Sequence, residues 1–519
     1  MHSNRKKYAW RKRRIIFNDD GGAVFHRQAH TPQGFLDMRL RPRLNTQMDS
    51  IFYCTGVSTV FAHKTRVAEL GSFTQRARAN LQALIASGRD CLELVVDFAR
   101  EQDLEVFWSL RINDVHDAYS PQQLPQFKRS HPEWLLGDPE ASFEPHTRDY
   151  WMRTAMNFAC QGVRDNCFRT VEEVAEHYDV DGIELDFARM PFLFPPGSER
   201  NNMNLLTDLF RRIRTRLDQI GEQRERPLLL AARVPDTVEY CLKIGLDIET
   251  CLQESLIDVL IAGFGYDPFQ MAIRELIDLG HRFDVPVYPC LTNSPTYSFK
   301  VNRPEQWDAM DRAVASNYWH ASCDGIYDFN DYVFWEDIGR STQAAKWTEI
   351  GDPHTLSGKN KLYMTTTGVP PHPSMAHACP EPLLPVMLSK GQPQPVAVFV
   401  GDDVEKVAKA GSAQAALRLC LQQCSRSSKL ACQLNGTLLT ACRATDRWSA
   451  ATAPPHEQTG DVVRLYPDTT GECWLVFPLT TPTLRRGDNT VSLTAMSDGA
   501  ASGFHLRHLE LALTYPGNP

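Results

Sequence analysis

Two carboxylates stand two residues apart in the stretch Val180-Asp181-Gly182-Ile183-Glu184-Leu185-Asp186-Phe187-Ala188-Arg189. In an extended strand, side chains alternate faces, so Gly182, Glu184 and Asp186 point one way and Ile183, Leu185 and Phe187 the other. One face is greasy enough to pack under helices, and the other carries two acids. Desolvation and like charge both raise the pKa values of such a pair. A chain keeps one chiefly for proton transfer, nucleophilic attack or ligand binding. The plainer alternative is a buried acid pair neutralised by Arg189 and backbone donors.

Seven other apolar runs bounded by turn residues join this segment: Arg14–Phe17, Ser50–Cys54, Leu104–Leu110, Pro227–Ala232, Ile257–Ala262, Val285–Leu291 and Gly325–Phe329. Between them lie stretches of helical period, the clearest running from Met203 to Ile220 with Leu205, Leu206, Leu209, Phe210, Ile213 and Leu217 at three- and four-residue steps. Eight alternations predict a parallel (β/α)8 TIM barrel. The alternative, a doubly wound sheet, wants a Gly-rich phosphate turn after its first strand, and Asn18-Asp19-Asp20-Gly21-Gly22 lacks that fingerprint. The expected organisation is a basic N-terminal arm (1–13), the barrel (14–355), a Pro-rich linker or transition (356–395) and a C-terminal β-sandwich accessory domain (396–519).

A barrel of this kind carries its chemistry at the C-terminal strand ends. The residues expected there are Asn18, Asp19, Tyr53, Trp108, Arg111, Asn113, Asp114, His116, Glu184, Asp186, Arg189, Arg233, Asp236, Tyr266, Asn293 and Asp328. Acids, amides and aromatic rings gathered in one mouth suit a sugar, whose hydroxyls need hydrogen bonds and whose C–H faces stack on rings.

Asp181-Gly182-Ile183-Glu184-Leu185-Asp186-Phe187 resembles the acidic fourth strand of barrel glycosidases. Arg111-Ile112-Asn113-Asp114-Val115-His116-Asp117, the loop His131-Pro132-Glu133-Trp134-Leu135-Leu136 and Asn157-Phe158-Ala159 are similar to the bacterial glycoside hydrolase-like barrels related to family-ten glycosidases. The likeness spans roughly the first two thirds of the chain and implies a glycoside hydrolase fold. The chitinase pattern Asp-Gly-x-Asp-x-Asp-x-Glu is also similar, but Ala188 takes the place of its catalytic Glu. The xylanase scheme wants a Glu on strand seven, where this chain has Leu291-Thr292-Asn293. The arrangement is closer to the α-glycosidase kind, in which an Asp ending strand four is the nucleophile.

On this reading Asp186 is the nucleophile or principal transition-state carboxylate, and Glu184, one layer deeper, tunes it or holds a hydroxyl. The general acid is a carboxyl across the pocket, with Asp236 favoured over Asp114 and Asp267. A pair near 5 Å apart implies retention and a wider pair inversion. Arg189 and Arg111 orient the carboxylates or bind an anionic substituent, although a plain salt bridge serves each alone equally well. His116 with Asp114 and Asp117 has the donor types for a divalent metal; hydrogen bonding is the favoured role, so no metal and no cofactor is expected. The expected function is hydrolysis of a poly- or oligosaccharide, with a non-catalytic glycan-binding barrel as the alternative.

Composition narrows the partners. With 519 residues and a net charge of −8, the chain has the profile of a soluble globular protein and not that of a general nucleic-acid binder. No run is long and apolar enough to span a bilayer, and no apolar run follows the basic start as in a signal peptide, so a cytoplasmic protein is expected, or a secreted one had a leader been trimmed. The fourteen cysteines include no Cys-x-x-Cys pair and read as small buried hydrophobes.

Overall fold

The computed structural model describes residues 2–57, 59–72, 74–119, 123–265, 268–292, 306–330, 345–366, 381, 383–404, 414–425, 427–440, 443–444, 457–459, 462–465, 471–479, 483–497 and 504–515. Its first part is a closed barrel of eight parallel strands: β1 (Ile15–Asp19), β2 (Met48–Tyr53), β3 (Glu105–Arg111), β4 (Gly182–Asp186), β5 (Leu229–Val234), β6 (Val259–Ala262), β7 (Val287–Thr292) and β8 (Ile326–Phe329). Each strand pairs with its sequence neighbour, and β1 closes the ring against β8. The expected barrel is therefore the observed one, and the doubly wound alternative is excluded.

Alternation decides what lies inside the ring. Ile16, Phe52, Phe107, Leu229, Val259, Tyr288 and Tyr327 form the lumen core, whereas Phe17, Ile51, Trp108, Ile183, Leu185 and Leu260 face the helical shell. Gly182 belongs to the inward set, where a Cβ would stand 2.3 Å from Phe107 Cε1 and 2.7 Å from the Leu229 carbonyl oxygen. The close approach of β3 and β5 to this position requires glycine.

The shell helices are amphipathic. Cys91–Glu101 buries Leu92, Val95 and Phe98, and it starts from a capping box in which Asp90 and Glu93 satisfy each other's backbone N–H groups. Met203–Gln223 turns Leu206, Leu209, Phe210, Ile213 and Leu217 inward.

Two expectations about the flanks change. The basic start is not a solvated arm: His2–Ala9 is a helix, and Arg5 and Arg13 are buried. Arg13 donates to both carboxylate oxygens of Glu105, at 2.6 and 2.7 Å, in the floor of the lumen. Arg5 pairs with Asp258 at 2.7 Å. The acids at the N-terminal strand ends have drawn these cations in. The stretch 356–395 likewise contains β9 (Lys361–Thr366), which pairs antiparallel with β10 (Phe504–Thr514) in the C-terminal domain.

That domain is two antiparallel sheets sharing a core of Leu417, Leu419, Leu475, Phe477 and Leu511 from one and Val396, Val398, Cys432, Val491 and Leu493 from the other. It seats on the barrel helix Trp307–His320, where Asn317 Oδ1 accepts the Gly401 N–H at 2.8 Å and Ser316 and Tyr363 share a hydrogen bond of 2.8 Å.

Candidate functional site

Register places Arg111, Asp186 and Arg233 side by side on β3, β4 and β5, with Ser109, Glu184 and Ala231 one layer below. Both acids of the β4 pair face the lumen, as alternation predicts. Asp186 is 1% exposed. Its Oδ1 accepts the Ala188 N–H at 2.9 Å and its Oδ2 lies 3.4 Å from Arg233 Nη1. The Arg233 guanidinium stacks 3.7 Å above the Phe329 ring and donates to the Phe264 carbonyl at 2.9 Å. Glu184 accepts the Tyr327 hydroxyl at 3.0 Å. Burial first, and then the charge of Asp186, hold its carboxyl well above the ordinary range.

Asp236 follows β5 and accepts the Phe264 N–H at 2.7 Å. Burial pushes its pKa up to about 6, against the opposing pull of that N–H and of Arg233. Arg233 thus pairs with Asp186 and shares Phe264 with Asp236, donating to its carbonyl while Asp236 accepts its N–H.

An open cavity of about 290 Å³ lies over the ends of β1, β2 and β3, lined by Asp20, Thr55, Arg111 and His116 at its polar side and by Phe25 and Tyr119 among its apolar walls. These two rings are 39% and 55% exposed. Tyr119 is braced edge-on against Trp151, with centroids 4.9 Å apart. His116 Nδ1 donates to Asp114 Oδ1, and its Nε2 faces Arg189 Nη2 at 3.4 Å. Burial alone would raise the Asp114 pKa, but the His116 ring, then Arg111 and Arg189, hold it well below the carboxylate range.

Several residues expected at the mouth are elsewhere. β1 runs to Asp19, so alternation continues through it: Asn18 faces the lumen, donating to the Phe52 carbonyl at 3.3 Å, and Asp19 turns to the helical side, where Arg39 meets it at 3.0 Å. Tyr53 and Trp108 have outward parity and pack in the helical core, the indole donating to Thr55 Oγ1 at 2.9 Å. Asp328 is outward too, taken by Trp347 Nε1 at 2.7 Å. Asn113 is a buried loop clamp that accepts the Met156 N–H at 2.9 Å and donates to the Met156 carbonyl at 2.8 Å. Asp114 is buried behind His116 and orients that ring. Asp117 pairs with Lys128 at 2.6 Å, so the metal-type donors of this loop diverge; among the described residues no cluster of three or more such donors gathers. Tyr266, Asp267 and Asn293 lie outside the described residues.

Phe25 and Tyr119 escaped the sequence reading. No periodicity marks them, but each lies in the loop directly after a barrel strand, and a search of those loops for aromatics finds both.

No family model matches the chain, and no curated protein does. Solved structures similar to it include the α-L-fucosidase isoenzyme 2 of Paenibacillus thiaminolyticus, at 14% identity and a TM-score of 0.41, covering 66% of this chain and 48% of the fucosidase, so that the chain spans about half the fucosidase's length. A maltogenic α-amylase of Thermotoga neapolitana matches at 12% identity and a TM-score of 0.38, over 90% of this chain and 98% of the amylase. The PgaB glycoside hydrolase domain of Bordetella bronchiseptica matches at 10% identity and a TM-score of 0.39, over 62% and 95%. The structural likeness is to glycoside hydrolases, at low identity.

Proposed function

We propose that the protein is a glycoside hydrolase acting on a poly- or oligosaccharide, of the kind related to family-ten glycosidases, with carboxyl groups at the C-terminal mouth of the barrel as its machinery. The observation that carries this reading is two buried acids in different environments on either side of Arg233, Asp186 in a salt bridge to it and Asp236 on the Phe264 N–H with a pKa raised to about 6. Two carboxyls in unlike surroundings, one held by a cation and one not, are suited to divided acid and base work. Asp236, protonated below about pH 6, gives its proton to the glycosidic oxygen. Asp186 faces the positive charge that develops at the anomeric carbon, and Arg233 and the Ala188 N–H hold it in place. Glu184, hydrogen-bonded to Tyr327, supports Asp186 from below.

One observation favours a second reading, a non-catalytic glycan-binding barrel: Asp186 is 1% exposed, whereas the open cavity is lined from β1 to β3. The two are separated by incubating the intact protein, Asp186→Asn and Asp236→Asn with panels of plant, marine and host polysaccharides and measuring reducing-end release. Release by the intact protein alone is expected. Equal release by Asp186→Asn removes that residue from the mechanism, and binding without release favours the second reading.

A further inference from the structure

Arg111 is 6% exposed, lies at the end of β3 and lines the open cavity. Its ion pair to Asp114, Nη1 to Oδ2, is 3.5 Å long, at the far edge of hydrogen-bond reach. Its Nη2 has no hydrogen-bond partner. A guanidinium carries five donors in a fixed fork, and buried donors are almost always satisfied. Each of the acids around it also has another partner. Asp20 Oδ1 takes Arg39 Nη1 at 2.9 Å and the Gly22 N–H at 2.8 Å. Asp114 Oδ1 takes both the ring and the backbone N–H of His116. Asp186, beside Arg111 on β4, is paired with Arg233. Arg189 stands behind His116 as a further cation.

The walls are of a different character. Phe25 and Tyr119 offer exposed rings, the second held rigid by Trp151. A rigid aromatic face binds the C–H face of a sugar with little ordering cost. A buried guanidinium with an open donor in the same cavity can take an anion through charge-assisted hydrogen bonds.

We infer that this cavity is a subsite for an acidic sugar residue, with Arg111 binding its carboxylate or sulfate and Phe25 and Tyr119 stacking on its ring. The inference rests on the carbohydrate-acting reading above and adds the substrate's charge.

The experiment is a binding titration of the full chain with oligogalacturonate and a sulfated galactan oligosaccharide, each beside its uncharged counterpart (methyl-esterified or desulfated). One acidic form should bind at least about tenfold tighter than its neutral partner, with the advantage shrinking as salt rises. Arg111→Gln should abolish that advantage. Tyr119→Ala and Phe25→Ala, at partly exposed positions, should weaken charged and neutral forms alike. Which acidic oligosaccharide binds tells carboxylate from sulfate. Equal binding of charged and neutral forms, no binding of any, or a charge preference that survives Arg111→Gln overturns the subsite. Should Arg111→Gln fail to fold, binding untouched by both aromatic variants overturns it instead. An acidic oligosaccharide bound through Arg111 but never cleaved sinks the hydrolase reading and leaves the subsite standing; cleavage of neutral glycans without charge preference does the reverse.

Discussion

Arg233 Nη1 lies 3.4 Å from Asp186 Oδ2 across the β4–β5 pairing, inside the barrel, with both side chains buried and the guanidinium carbon 3.7 Å from the Phe329 ring centroid. Opposite charges in so dry a place are each held there by the other, and losing one leaves the other uncompensated.

Arg233→Met should therefore destabilise the protein by about 3–5 kcal/mol at neutral pH. Adding Asp186→Asn to that variant should recover part of the loss, because the orphaned charge goes with it. Urea unfolding of the two singles and the double measures this coupling. Additive effects would show that the two side chains do not support each other.

Asp236 gives a pH signature. Its folded pKa of about 6 exceeds the ordinary 3.8, so between those values the folded state binds more protons than the unfolded one. Its stabilising contribution is full below pH 3.8 and is lost as pH rises towards 6. Asp236→Asn keeps an acceptor for the Phe264 N–H and should raise stability at pH 7 by up to about 3 kcal/mol. Melting curves at pH 4 and pH 7 read the difference. If Asp236 is the acid of hydrolysis, the rate should also fall as pH rises through about 6.

His63 works in the opposite direction. It is fully buried, its Nδ1 2.7 Å from Thr55 Oγ1, and burial pushes its pKa down to about 3 from 6.5. The unfolded chain binds the proton first, so stability is full above pH 6.5 and is lost as pH falls towards 3. His63→Gln should flatten the slope of stability over that window, seen in unfolding midpoints taken at half-unit steps. An unchanged slope would assign acid sensitivity to other groups.

Gly401 joins the two domains. A Cβ there would lie 2.2 Å from the Ser316 carbonyl oxygen, and backbone cannot yield as a flexible side chain can. Gly401→Ala should cost about 1–3 kcal/mol and lower the melting temperature. A neutral result would mean that the C-terminal domain shifts on its helix without penalty.

The barrel was legible in the residue pattern. Eight apolar runs alternating with amphipathic helices leave few ways to bury both faces of a parallel sheet, and the period of two in β4 settled that Glu184 and Asp186 share the lumen face with Gly182. The same rule places Asp19, Tyr53, Trp108 and Asp328 outward once the strand ends are known, but strand ends are poorly marked in sequence: β1 runs past Phe17 to Asp19 and carries alternation with it. Tertiary structure alone decided which charges meet. Arg13 reaches Glu105, ninety-two residues away, and Arg233 meets Asp186 across forty-seven. It also decided that Phe25, Tyr119 and Arg111 line one cavity. Contacts of that kind depend on how loops from separate strands settle over a common rim, and no local spacing encodes them.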